Sequence, residues 1–232
     1  MSAPTTRAPL IRVASVAQML AQAPADAQSW LSASEWRRTA KLHAPQRREH
    51  YLAGHWLLRV QLERFLGESV AGWDIVDRRS LPPQVLEHPE LRVSLSHSGP
   101  WIACAVSTQP IGIDLEQRRL REALASFDQL LRNPDEAPDS LDLAALLRRW
   151  VVKEAYIKRD CGSALPERLA ELNVSVQSQP ADLTLWQTDS FLLGTVGAGI
   201  AGEPQWPSEA TRAHAEYWRI SDSLRAQKGP RA

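Results

Sequence analysis

The run IGIDLE, residues 111–116, sets two carboxylates two positions apart in an otherwise apolar stretch. In an extended chain successive side chains face opposite ways, so Ile111, Ile113 and Leu115 form one face and Gly112, Asp114 and Glu116 the other. One face can enter a core while the other presents a pair of acids. A third acid lies in LDLAALLRRWVVKEAYIK, residues 141–158. There Leu143, Leu147, Trp150, Val151, Glu154 and Lys158 recur at helical spacing and share one face. A carboxylate that continues an apolar stripe is costly unless it is paired or bound to a cation. Glu154 therefore has two readings: an i,i+4 ion pair with Lys158, or a meeting with Asp114 and Glu116. Three convergent carboxylates repel one another, and oxygen ligands of this kind suit Mg²⁺, which keeps several waters for a phosphate to replace. The second reading makes a metal–phosphate site.

Two further clusters could bind anions. In SLSHSG, residues 94–99, a strand ends in a polar turn. A lone histidine there can simply bond the turn backbone, but Ser96, His97, Ser98 and Gly99 gather several donors within four residues. A Ser–His pair also raises the question of a hydrolase triad. Adjacent strand residues face opposite ways and the chain has no nucleophile-elbow motif, so that reading is rejected. In EWRRTAKLHAPQRREH, residues 35–50, Arg37, Arg38, Lys41, Arg47 and Arg48 fall close together. Such a run is either a solvated helix face or a place to hold phosphate groups or an acidic partner.

The elements that must position these residues are legible in outline. From Leu31 to about Leu66 the apolar series Leu52, Trp56, Leu57 and Val60, with Ser32 or Ser34 as N-cap and a break near 43–45, predicts a helical hairpin. SLPPQVLEHPE (80–90) reads as loop, and RVSLS, WIACAVS and IGIDLE read as three strands of a β-meander. EALASFDQLLR (122–132) reads as helix, NPDEAPDS (133–140) as its break, and 141–158 as the longest helix. LNVSVQ, LTLWQ, FLLGTVG and AEYWRI follow as strands. Helices followed by strands in each half predict an α+β protein of two related subdomains meeting near 107–113. Residues 1–9 and 226–232 are expected to fray.

Composition narrows the function. A chain of 232 residues that is 44% hydrophobic and 23% charged belongs with ordinary globular proteins. With 27 basic and 27 acidic residues it offers no net field for nucleic acid or an anionic membrane, so anion binding must come from local clusters. Cys104 and Cys161 are too few for a disulfide framework, and neither a secretory leader nor a membrane span is evident. The expected location is the cytoplasm.

With these pieces in place the sequence resembles the surfactin-synthetase-type 4′-phosphopantetheinyl transferases. VSLSHSGPWIACAVSTQPIGIDLE is similar to the family's first core block, and RRWVVKEAYIK to its second, which reads W-x-x-K-E-x-x-x-K. The resemblance, helped by YLAGHWLLR, covers roughly residues 30–165. It implies a pseudo-two-fold pair of similar α/β subdomains, 1–107 and 108–232, in a monomer with a coenzyme A cleft between them. It implies transfer of the phosphopantetheine arm of coenzyme A to a serine of an acyl, aryl or peptidyl carrier protein, releasing 3′,5′-ADP. On this resemblance Asp114, Glu116 and Glu154 hold Mg²⁺, with Mn²⁺ as the alternative ion. Ser96 and His97 contact the nucleotide and its phosphates, Lys158 steadies the α-phosphate, and Glu154 helps remove the serine proton, directly or through a water. The rival reading is a turnover-deficient relative that binds carrier proteins. This chain also departs from the pattern. Leu81 stands where a Gly-Lys-Pro lysine is usual, and His50 and His55 stand where arginines are common, leaving Arg38, Lys41, Arg48 or a protonated His50 to meet the 3′-phosphate. Val151 replaces a small hydroxyl residue, and KRDCGSAL replaces a glycine-rich ending.

Overall fold

The computed structural model describes residues 7–69, 73–78, 81–118, 131, 133, 143–160, 165–181, 183–197, 202–209 and 213–222. Strand β1 (Leu10–Ser15) runs into helix α1 (Val16–Gln22), whose first turn is capped by the Ser15 hydroxyl accepting from Gln18 N. Helix α2 (Ala33–Thr39) starts at a capping box: the Ser32 hydroxyl accepts from Glu35 N, and the Glu35 carboxylate accepts from Ser32 N. Helix α3 (Pro45–Leu66) opens on proline and ends at Gly67 in the left-handed conformation. The expected helical hairpin and its Ser32 cap are both present.

Strands β2 (Ile75–Val76) and β3 (Gln84–Val85) pair antiparallel, and β3 falls inside the stretch 80–90 expected to be loop. Strands β4 (Arg92–Ser98), β5 (Trp101–Ser107) and β6 (Ile111–Gln117) follow. Then come α4 (Leu143–Arg159), α5 (Leu165–Glu171), β7 (Leu172–Gln177), β8 (Leu183–Gln187), β9 (Phe191–Gly197) and β10 (His214–Asp222). The four late strands match their expected positions, whereas β1, α1 and α5 were not anticipated. The helix expected over 122–132 and its break lie outside the described residues, apart from Leu131 and Asn133, as does Cys161.

One expectation needs correction. The three central strands do not form a meander: β4 and β5 form a hairpin in a sheet of order β1-β5-β4, and β6 begins a second antiparallel sheet of order β6-β9-β8-β10-β7. The chain changes sheet between Ser107 and Ile111. Each sheet carries a helix on its outer face. Leu57, Leu58 and Leu62 of α3 pack on Ile102, Cys104 and Val106, while Val151, Val152 and Ala155 of α4 pack on Leu185, Leu192 and Val196. Between the sheets lie Ile11, Val13, Trp101, Ala103, Ile111, Ile113, Leu115 and Phe191. The alternation expected for IGIDLE is thus observed, with its isoleucines and leucine in the inter-sheet core. A strap crosses this junction: Gln205 N donates to Ile11 O and Gln205 O accepts from Val13 N, while the Trp206 ring lies against Trp186 and Phe191. Among the described residues, no helix is long and apolar enough to cross a membrane.

Candidate active site

The acids are brought together by a glycine. A Cβ on Gly112 would lie 2.1 Å from the Ala155 carbonyl oxygen and 2.4 Å from Arg159 N, so only a bare backbone lets α4 settle directly on β6. That contact carries Glu154 and Lys158 over Asp114 and Glu116, which share the Gly112 face of the strand. Lys158 Nζ lies 2.6 Å from Asp114 Oδ1 and 3.7 Å from Glu154 Oε2. Glu154 lies within ion-pair distance of Lys158, and that lysine's shorter bond goes to Asp114.

A second device fixes the carboxylates. Ser94, Ser96 and Ser98 alternate along β4, and their hydroxyl oxygens accept from the N–H groups of Ile113, Leu115 and Gln117 at 3.0, 3.1 and 3.0 Å. The Ser96 hydroxyl donates to Asp114 Oδ1 at 2.9 Å, and that of Ser98 to Glu116 Oε2 at 2.6 Å. Lys158 Nζ also donates to Ser96 Oγ at 3.1 Å. Ser94 and the roles of Ser98 and Gly112 escaped the sequence reading, although serine at every second position was a visible sign that one face of the strand is polar.

The electrostatics follow from crowding. Burial first, then the charges of Asp114 and Glu116, push Glu154 up to about 8, against the pull of Lys158. Burial opposes the charge on Lys158, but Asp114 and Glu154 overcome it and raise its pKa. Asp114 is 2% exposed, and its Oδ2 is buried without a hydrogen-bond partner.

Among the described residues, no group of three or more His, Cys, Asp or Glu stands in metal-binding geometry. The side chains are nonetheless chemically suited to a hard divalent cation: three carboxylates, one of them with a buried oxygen lacking a hydrogen-bond partner, and a glutamate whose charge its neighbours oppose. The residues fit such an ion.

The remaining candidates stand apart from the acids. His97 projects from the other side of β4 and stacks on His50 of α3, with ring centroids 4.8 Å apart and planes 24° apart. Arg38 reaches Asp77 at 3.9 Å, and Lys41 and Arg48 are exposed. His55 is committed elsewhere: its Nδ1 lies 2.6 Å from Glu35 Oε1, and Arg59 grips the same carboxylate with both Nη atoms. This buried triad ties α2 to α3 and had no signal in the sequence beyond the capping-box glutamate. Beside the acids a cleft of about 470 Å³ is lined by Pro82, Pro83, Leu86, His88, Arg92 and Lys158, among others.

Clustered acids with an adjoining lysine are the kind of side-chain set that phosphate chemistry uses. No protein-family model matches the chain. Over 202 residues, 78% of this chain and 84% of the relative, it is 31% identical to the 4′-phosphopantetheinyl transferase HetI of Nostoc sp.. It is 26% identical over 138 residues to a 4′-phosphopantetheinyl transferase of Bacillus subtilis, covering 56% of this chain and 59% of that one. With the 4′-phosphopantetheinyl transferase Sfp of Bacillus subtilis strain 168 it shares 32% identity over 94 residues, 36% of this chain and 40% of the relative. The chain thus spans most of the first relative and less than two thirds of the other two. It belongs to the 4′-phosphopantetheinyl transferase family, a family of transferases.

Proposed function

We propose that the protein transfers the 4′-phosphopantetheine arm of coenzyme A to a serine of an apo acyl or peptidyl carrier protein in a Mg²⁺-dependent reaction. The observation that carries this reading beyond family membership is the convergence of Asp114, Glu116, Glu154 and Lys158 where β6 meets α4. The serine oxygen bonds to the phosphorus bearing the pantetheine arm, the bond from that phosphorus to the bridging oxygen breaks, and 3′,5′-ADP leaves with the electron pair. Glu154 helps to remove the serine proton, directly or through a water. Asp114, Glu116 and Glu154 hold Mg²⁺ or Mn²⁺, which when bound offsets the charge of the pyrophosphate. Lys158 steadies the departing phosphate, and Ser96 and His97 meet the nucleotide and its phosphates. Arg38, Lys41, Arg48 and His50 are the candidates for the 3′-phosphate. Coenzyme A lies between two pseudo-two-fold halves, 1–107 and 108–232, in a cytoplasmic monomer.

Intact-protein mass spectrometry of an apo carrier incubated with this protein, coenzyme A and Mg²⁺ tests the reading. The expected result is a mass gain of one phosphopantetheine arm that EDTA abolishes. Absence of that gain on acyl, aryl and peptidyl carriers alike, despite measurable coenzyme A binding, overturns the transferase reading and leaves the turnover-deficient relative.

A further inference from the structure

His50 lies near the start of α3, half-buried, with Nε2 2.7 Å from the carbonyl oxygen of Gly99. A carbonyl only accepts, so Nε2 carries the hydrogen and donates it. Gly99 opens the β4–β5 turn in the left-handed region at φ 55°, and a Cβ there would fall 2.4 Å from the Gln117 side-chain oxygen. The turn is therefore bonded by His50 of α3 on one side and approached by the Gln117 side chain at the end of β6 on the other. The same imidazole lies face to face with His97. His97 in turn is flanked by Ser96 and Ser98, whose hydroxyls hold Asp114 and Glu116. One side chain on α3 thus fixes both the turn and the ring that follow the site's serines.

We propose that His50 is a positioning residue: its bond to Gly99 and its ring against His97 fix the His97 imidazole on the α3 side of β4, oriented to meet a phosphate-bearing ligand. The proposal rests on the reading of His97 as a phosphate contact. The charged groups around the pair are Arg47 on α3, Lys158 on α4 and Asp114 on β6. Burial, then His50 and Lys158, hold His97 below the ordinary imidazole value, with Asp114 opposing them.

The test uses full-length protein with ¹³C-labelled histidine and follows the His97 ring resonance against pH, in wild type and in His50→Ala, His50→Phe and His50→Gln. His50→Ala removes both the covering ring and the neighbouring charge, so the His97 midpoint is expected to rise. In His50→Phe the cover remains, and the rise is smaller. His50→Gln can keep the bond to Gly99 without the stack, and raises the midpoint as His50→Ala does. The Kd for coenzyme A is expected to weaken about 3- to 10-fold in His50→Ala, the weight of one well-placed polar contact. An unmoved His97 midpoint in the folded variants overturns the proposal. A moved midpoint with an unchanged coenzyme A Kd keeps the coupling of the two rings and removes His97 from the ligand site. Because the resonance is read without ligand, it separates failure of this inference from failure of the transferase reading.

Discussion

Replacing Glu154 with glutamine should destroy the site and strengthen the fold. In the metal-free protein Glu154 titrates at about 8 against an ordinary 4.5. An acid raised in this way contributes stability that is present at low pH and lost as pH rises from 4.5 through about 8. Each pH unit between the two values costs about 1.4 kcal/mol, so at pH 7 the fold bears about 3 kcal/mol that a neutral side chain of the same shape would not. The substitution gives up an ion pair at 3.7 Å, but Lys158 keeps its 2.6 Å bond to Asp114, so that loss is small. The net expectation is a gain of about 2 kcal/mol at pH 7. Urea unfolding followed by tryptophan fluorescence at pH 5, 7 and 8 measures it. The gap between variant and wild type should be slight at pH 5 and widen as pH rises. Added Mg²⁺ should raise the midpoint of wild type and not that of the variant. A variant less stable than wild type at pH 7, or a gap that ignores pH, refutes the reasoning.

Three further outcomes follow from the same structure. Glu35 is the reverse case: burial pushes it up, but hydrogen bonds from Arg59 and His55 hold it at about 2, so its stabilisation is present above 4.5 and lost as pH falls through about 2. Glu35→Gln should cost about 3 kcal/mol at pH 7 by urea unfolding, and a cost under about 1 kcal/mol would show that the triad is replaceable. Gly112→Ala forces its Cβ against the Ala155 carbonyl, so it should cost about 2 kcal/mol or more and cut transfer sharply; wild-type stability with full activity would contradict the docking of α4 on β6. Leu81, 43% exposed at the edge of the prolines that line the cleft, should as Leu81→Lys tighten coenzyme A binding by calorimetry, and an unchanged or weaker Kd would sink that account of the loop.

Much of the site was legible because its geometry is carried by local periodicity. The two-residue spacing of Asp114 and Glu116 and the four-residue spacing of Glu154 and Lys158 each fix a face without tertiary information. The long helices and the late strands were legible for the same reason. What escaped depends on partners far away in sequence. β1 pairs with β5 on one side and is bridged to Gln205 on the other, and nothing in LIRVAS announces that register. Whether β6 continues one sheet or starts another is decided by β9, some 80 residues later, so IGIDLE reads as a third meander strand until that pairing is known. The commitment of His55 and Arg59 to Glu35 is equally non-local, which is why a buried structural histidine and a candidate phosphate ligand look alike in the text.

The change of sheet is what makes room for the acids. β4 and β6 are edge strands of different sheets and lie side by side, so ordinary backbone pairing would have merged the sheets and closed the gap between them. Instead three serine hydroxyls take the N–H groups of Ile113, Leu115 and Gln117, satisfying the open edge of β6 through side chains. A hydroxyl that accepts from a backbone N–H still has its own hydrogen to give, and at Ser96 and Ser98 that hydrogen goes to a carboxylate. The serine ladder therefore does two things with one atom: it joins the sheets at a distance wider than a backbone bond, and it orients Asp114 and Glu116 in the wedge it keeps open. Ser96→Ala would leave the Leu115 N–H without its acceptor and Asp114 Oδ1 with Lys158 as its donor, so the joint and the site cannot be altered independently.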